Sequence, residues 1–163
     1  MTRAAGIGLI GALLLSGCAA TPPGVFRDAS AQMGASTRFD RDGFAGSWIV
    51  VERFGVAPGD EIAFDTSSDA GTIRLSGTGA ATVDGTYRPG VPGELIPVAP
   101  GRSPLVVMWV DEDFETAAIG TVSGSFGALI DRDGRVPPDR ALAARAIFDF
   151  YGWDVSQLQR TGT

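Results

Sequence analysis

The residue types present limit the chemistry before any element is considered. The 163-residue chain has no histidine, all 13 of its basic residues are arginine, and Cys18 is its one cysteine. A Ser-His-Asp or Cys-His nucleophile cannot be assembled from this set, nor a His- or Cys-rich metal site, nor a lysine Schiff base. Ser103, Ser123 and Ser125 therefore have no base to activate them. Asp111, Glu112, Asp113 and Glu115 form an acidic cluster that could attract Ca²⁺ or act as paired carboxylates, but between two strands it reads better as a solvated tip. Asp-Arg-Asp-Gly occurs at 40–43 and again at 131–134, and neither copy has the third ligand or bidentate Glu of a calcium loop. Both read as turns. We expect no catalytic residue, no metal and no cofactor; a hydrolase using two carboxylates would have only the acidic cluster behind it. A net charge of −6 without a basic stripe argues against nucleic acid as a partner.

The start of the chain reads as a targeting segment. Arg3 precedes an apolar run, Ala4 to Leu15, that is too short for a permanent membrane span. It leads into Leu15-Ser16-Gly17-Cys18, which resembles a bacterial lipobox. That resemblance implies removal of residues 1–17 and a diacylglyceryl group on Cys18, with each buried CH₂ contributing roughly 0.8 kcal/mol to membrane attachment. The mature chain would carry 12 basic and 19 acidic residues. Ala19 after the cysteine implies sorting to the outer membrane of a two-membrane bacterium. Residues 18–37 are small and polar, with Pro22, Pro23 and Gly24, and read as a flexible tether.

The elements that would position any site begin at Arg38–Phe54. Asp40, Asp42 and Gly43 favour a bend, and Gly46-Ser47-Trp48 opens a strand through Ile49, Val50 and Val51. Further strand-like runs occupy Glu61–Asp65, Thr72–Leu75, Ala81–Arg88, Glu94–Val98, Leu105–Val110, Glu115–Gly120 and Ser125–Ile130. Eight short strands joined by short turns predict an all-β, up-and-down antiparallel barrel. Such a barrel is just wide enough to be filled by side chains or to hold one small ligand. A single helix follows. Pro137, Pro138 and Asp139 suit its first turn, Ala141, Ala144, Ile147, Phe148 and Tyr151 share one face, and Gly152 ends it. Its apolar face would pack on the outside of the barrel.

Four segments in order resemble the bacterial lipocalins, the membrane-anchored members of the lipocalin family. They are Phe39-Asp40 through Phe44, Gly46 and Trp48; Trp109 to Phe114, where Asp113 precedes an aromatic; Phe126 to Arg132; and Gly152-Trp153-Asp154 with Leu158. The resemblance implies that Arg132 stacks on Trp48 at the closed end of the barrel, a contact of roughly 0.5–2 kcal/mol that serves stability. The chain departs from the family in its short strands, in Ile49 where an aromatic is common, and in Val50 where a Glu is typical.

Residues 38–163 are thus expected to form the barrel and helix. The function implied is binding of a small hydrophobic ligand, a fatty acid or lysophospholipid, for lipid transport or storage in the envelope. Val50, Glu52, Val107, Trp109 and Phe126 are the expected lining, because alternation from Trp48 points Val50 and Glu52 inward. Glu52 would then anchor a ligand or pair with an arginine. The alternative is a filled barrel acting as a protein-binding or inhibitor module.

Overall fold

Period-two runs separated by Gly- and Pro-rich turns become strands when each can close on its neighbour, and here nearly every run does. The computed structural model describes residues 24–55, 60–67 and 71–161. A short helix, α1 (Arg41–Phe44), is capped by the Asp40 carboxylate, which accepts from the Gly43 N–H. The strands are β1 (Gly46–Phe54), β2 (Glu61–Asp65), β3 (Ile73–Ser76), β4 (Gly85–Pro89), β5 (Glu94–Pro97), β6 (Leu105–Val110), β7 (Thr116–Thr121), β8 (Gly127–Asp131) and β9 (Leu158–Arg160). β1 to β8 pair antiparallel in chain order, and β1 pairs with both β8 and β2. The ring is closed, giving the eight-stranded up-and-down barrel. Helix α2 (Pro138–Phe150) packs outside it on β6 and β7.

Three local features differ from the sequence expectation. The run expected as a strand from Ala81 begins only at Gly85, because Thr78–Ala80 form a 3-10 turn folded toward the barrel axis. β9 has no apolar alternation to announce it. It extends β1 along the edge that β2 leaves, with Glu52, Arg53 and Phe54 opposite Arg160, Gln159 and Leu158. The tether expected over 18–37 is also bound in its described part. Phe26 N–H donates to Gly124 O and Ser36 N–H to Val107 O, while the buried Arg27 donates to Tyr151 O and Val122 O. Cys18 and the expected signal segment, 1–17, lie outside the described residues.

Two apolar layers share the barrel wall. The inner one holds Trp48, Val50, Ile62, Phe64, Leu75, Tyr87, Leu105, Val107, Ile119 and Ile130 among others. The outer one joins Phe54, Met108, Ala118 and Leu129 to Ala144 and Phe148 of α2 and to Trp153. Trp153 lies over the paired glycines Gly120 and Gly127, where an added Cβ would come within 2.5 Å and 2.6 Å of its ring. Two glycines face each other there because only a flat wall admits the indole. Arg140–Asp111 (2.5 Å) and Arg145–Glu52 (2.6 Å) tie α2 to the barrel.

Candidate functional site

The barrel has two unlike ends. At the end where β1 begins, the Arg132 guanidinium carbon lies 3.9 Å from the centre of the Trp48 ring. Its nitrogens donate to Ser47 O (3.0 Å), Gly43 O (2.8 Å) and Phe114 O (3.2 Å). Burial lowers the Arg132 pKa, and Glu115 partly offsets this. The Trp48 N–H donates to Phe44 O, and the Phe44 and Trp48 rings stack 4.6 Å apart. Gly46 has φ +98°, and a Cβ there would sit 3.3 Å from Arg132, so the close approach needs glycine. Phe114, with φ 58°, holds its carbonyl toward Arg132 from a left-handed backbone. This end is closed by a cation on an indole and three carbonyls. All of that is structural.

Of the four acids in the β6–β7 turn, Asp111 and not Asp113 organises it. Asp111 accepts from the N–H groups of Glu115 and Thr116 and pairs with Arg140, whereas Asp113 is exposed and reaches Arg140 at 3.4 Å. No group of three or more acidic, His or Cys residues is placed to hold a metal among the described residues.

Five residues were expected to line the interior, and the structure brings three of them together there. Val50, Val107 and Phe126 belong to the inner layer. Glu52 and Trp109 do not, and the same physical cause removes both. A β-bulge lies between Val50 and Glu52, so that Val50 opposes Ile130 and Glu52 opposes Leu129. A second lies between Val107 and Trp109, with Val107 opposite Ile119 and Trp109 opposite Ala118. One extra residue in a strand reverses the side on which every later residue stands. Glu52 therefore faces outward to Arg145, and Trp109 packs in the outer layer. The alternation argument for Glu52 as an interior anchor is corrected.

The first bulge turns a different charge inward. Arg53 opposes Ala128, an inner-layer residue, and retains 3% of its exposure. Burial lowers its pKa. The sequence reading missed Arg53, and a run written Val-Val-Glu-Arg-Phe carries no signal that alternation skips a place.

At the opposite end, residues 77–84 fold into the mouth. Ala80 and Val83 join the inner layer, Tyr87 OH donates to Val83 O (2.7 Å), and a Cβ at Gly79 would press on Val50. Burial raises the Tyr87 pKa. Beside this plug lies a hydroxyl-lined cleft of about 260 Å³ formed by Thr82, Arg102, Ser103, Thr121, Ser123 and Ser125. A side chain lining a water-sized void would keep exposed surface, yet Trp48, Val50, Ile62, Leu75, Leu105, Val107 and Ile119 keep 0%. With the plug in place the shaft is filled around them.

The sequence matches no protein-family model and no curated protein. The fold is similar to that of Per a 4, a major allergen from cockroaches, with a TM-score of 0.57 and 12% identity over 82% of this chain and 94% of that one. At that identity the likeness is one of fold: a closed eight-stranded up-and-down barrel with one helix outside it.

Proposed function

We propose that the protein is a lipid-anchored, lipocalin-like barrel that binds a small amphipathic molecule without catalysis, a fatty acid or lysophospholipid in the envelope. One observation carries this reading: among the described residues, a mostly apolar inner layer meets a buried arginine, Arg53, at its mouth end, under a plug that is not strand. The apolar wall of Val50, Val107 and Phe126 suits an acyl chain. A carboxylate or phosphate reaching Arg53 would form a charge-assisted bond in low dielectric. Ala80 and Val83 must leave the shaft to admit the chain, and the plug they belong to is a loop whose side-chain ties, from Tyr87, Arg102 and Arg74, are made at Val83 and Asp84. Cys18 is proposed as the lipidation site, with the outer membrane as the location.

The test is titration of residues 19–163, made without the lipid, with a fluorescent long-chain fatty acid. Saturable micromolar binding at one site is expected, weakened by Val50→Trp, which fills the shaft, and by Arg53→Met, which removes the cation. The fully buried inner side chains support a second reading, a filled barrel that works through a protein partner. Absence of binding in a folded sample would select it.

A further inference from the structure

We infer that the mouth of the barrel faces the membrane, with its rim docked on a zwitterionic phospholipid interface. The inference rests on the proposed lipidation of Cys18. Phe26 N–H donates to Gly124 O, and Gly124 lies in the β7–β8 loop. β8 starts opposite the last residues of β1, so this loop stands at the mouth and not at the Arg132 end. The chain therefore joins the barrel at its mouth rim. Only five residues separate Cys18 from Gly24, a step of six along the chain. Even fully extended, that step spans about 20 Å, less than the roughly 30 Å length of the nine-residue strand β1 that runs from the closed end to the mouth.

The rim is built to meet such a surface. Val98 and Val122, in the β5–β6 and β7–β8 loops, are 51% and 39% exposed, and Phe150 at the end of α2 is 77% exposed. Phe150 belongs to the same end, because the neighbouring Trp153 sits on Gly120 and Gly127 beside that loop. Aromatic and aliphatic side chains standing singly among polar groups suit the headgroup boundary. Charge selects the lipid. Asp28, Asp149 and Asp154 are exposed around the entry of the chain, Arg27 among them is buried, and the exposed Arg102 lies farther round the rim. That balance would be repelled by a strongly anionic leaflet and is accommodated by zwitterionic headgroups. Docked in this way, the plug at 77–84 opens toward lipid, and an amphipathic ligand passes between bilayer and shaft without crossing water.

The experiment uses the mature lipidated chain in phosphatidylcholine vesicles carrying brominated acyl chains. A tryptophan is added singly at the rim (Val122→Trp or Val98→Trp) or at the exposed Val91 of the β4–β5 turn, at the closed end (Val91→Trp). We expect the emission added by either rim variant to shift to the blue and be quenched, and that of Val91→Trp to remain unquenched. Two rim positions guard against one variant failing to fold. Quenching of Val91→Trp, or of no variant while the protein floats with vesicles, overturns the orientation alone. An intact mass without acyl groups on Cys18 and failure to float overturns the anchor, and the orientation with it.

Discussion

The closed end and the mouth are made from the same strands, yet they are held in different ways. At the closed end Arg132 ties two stretches of chain, 43–47 and the turn at Phe114, through three carbonyls and covers Trp48 with its flat face. At the mouth the plug contributes the small side chains Ala80 and Val83, and its side-chain ties gather at its last two residues: Tyr87 OH donates to Val83 O, Arg102 to Asp84 O, and Arg74 pairs with the Asp84 carboxylate. Trp48 is fully buried beneath its cation, whereas the Arg74–Asp84 pair at the plug is half exposed to water. The teaching is that a short barrel can be permanently sealed below and provisionally filled above. Local opening free energies differ across a structure in this manner, with weakly held segments opening first.

The contrast breaks most visibly if the closed end is removed. Trp48→Ala deletes a fully buried indole and the seat of Arg132, and should cost about 3–5 kcal/mol in chemical denaturation. Gly127→Ala presses a methyl group into the Trp153 ring on the outer wall and should cost about 1–3 kcal/mol by the same measurement, while leaving ligand titration unchanged. Acid should act near the closed end too. Burial raises the Asp131 pKa, but the Thr116 hydroxyl, Asp133 and the backbone N–H groups of Asp133 and Arg135 outweigh it, and the net shift is downward. A depressed carboxylate stabilises the fold above its unfolded value of about 3.9 and loses that contribution as pH falls through the folded value. Asp131→Asn should therefore lower stability at neutral pH and flatten the acid limb of a stability–pH curve.

Smaller effects sharpen the comparison at the outer wall and the mouth. Arg145→Ala leaves Glu52 buried without its partner; since Arg145 is itself half exposed, the expected loss is about 1 kcal/mol. Tyr87→Phe removes the hydroxyl that holds Val83 and should cost about 0.5–1.5 kcal/mol at most. Its signature is local: hydrogen exchange should quicken at residues 77–84 and stay unchanged around Trp48. Equal acceleration at both ends would abolish the distinction between a seal and a plug.

Much of this was legible in the residues themselves. The strand runs, their order and the helix with its face of Ala141, Ala144, Ile147, Phe148 and Tyr151 follow from period and from turn chemistry, which are local properties. The stacking of Arg132 on Trp48 was reachable only through resemblance, since the two residues lie far apart in sequence. The interior was half legible. Val50, Val107 and Phe126 stand where alternation puts them, before the bulges or outside their strands. Glu52 and Trp109 follow a bulge and stand on the other side. Asp111 was missed in favour of Asp113 because turn geometry, not residue type, decides which carboxylate meets the Glu115 and Thr116 amides.

The sequence by itself determined that this chain has no histidine, lysine or cysteine chemistry within its barrel, that it folds as eight paired strands and that one helix covers the wall. Composition and periodicity suffice for those statements because each depends on neighbours along the chain. Only the tertiary structure decided that Arg53 faces inward and Glu52 outward, and that residues 77–84 fill the mouth. A bulge exists when two residues of one strand oppose one residue of another, so the count is made between strands and cannot be read from either alone.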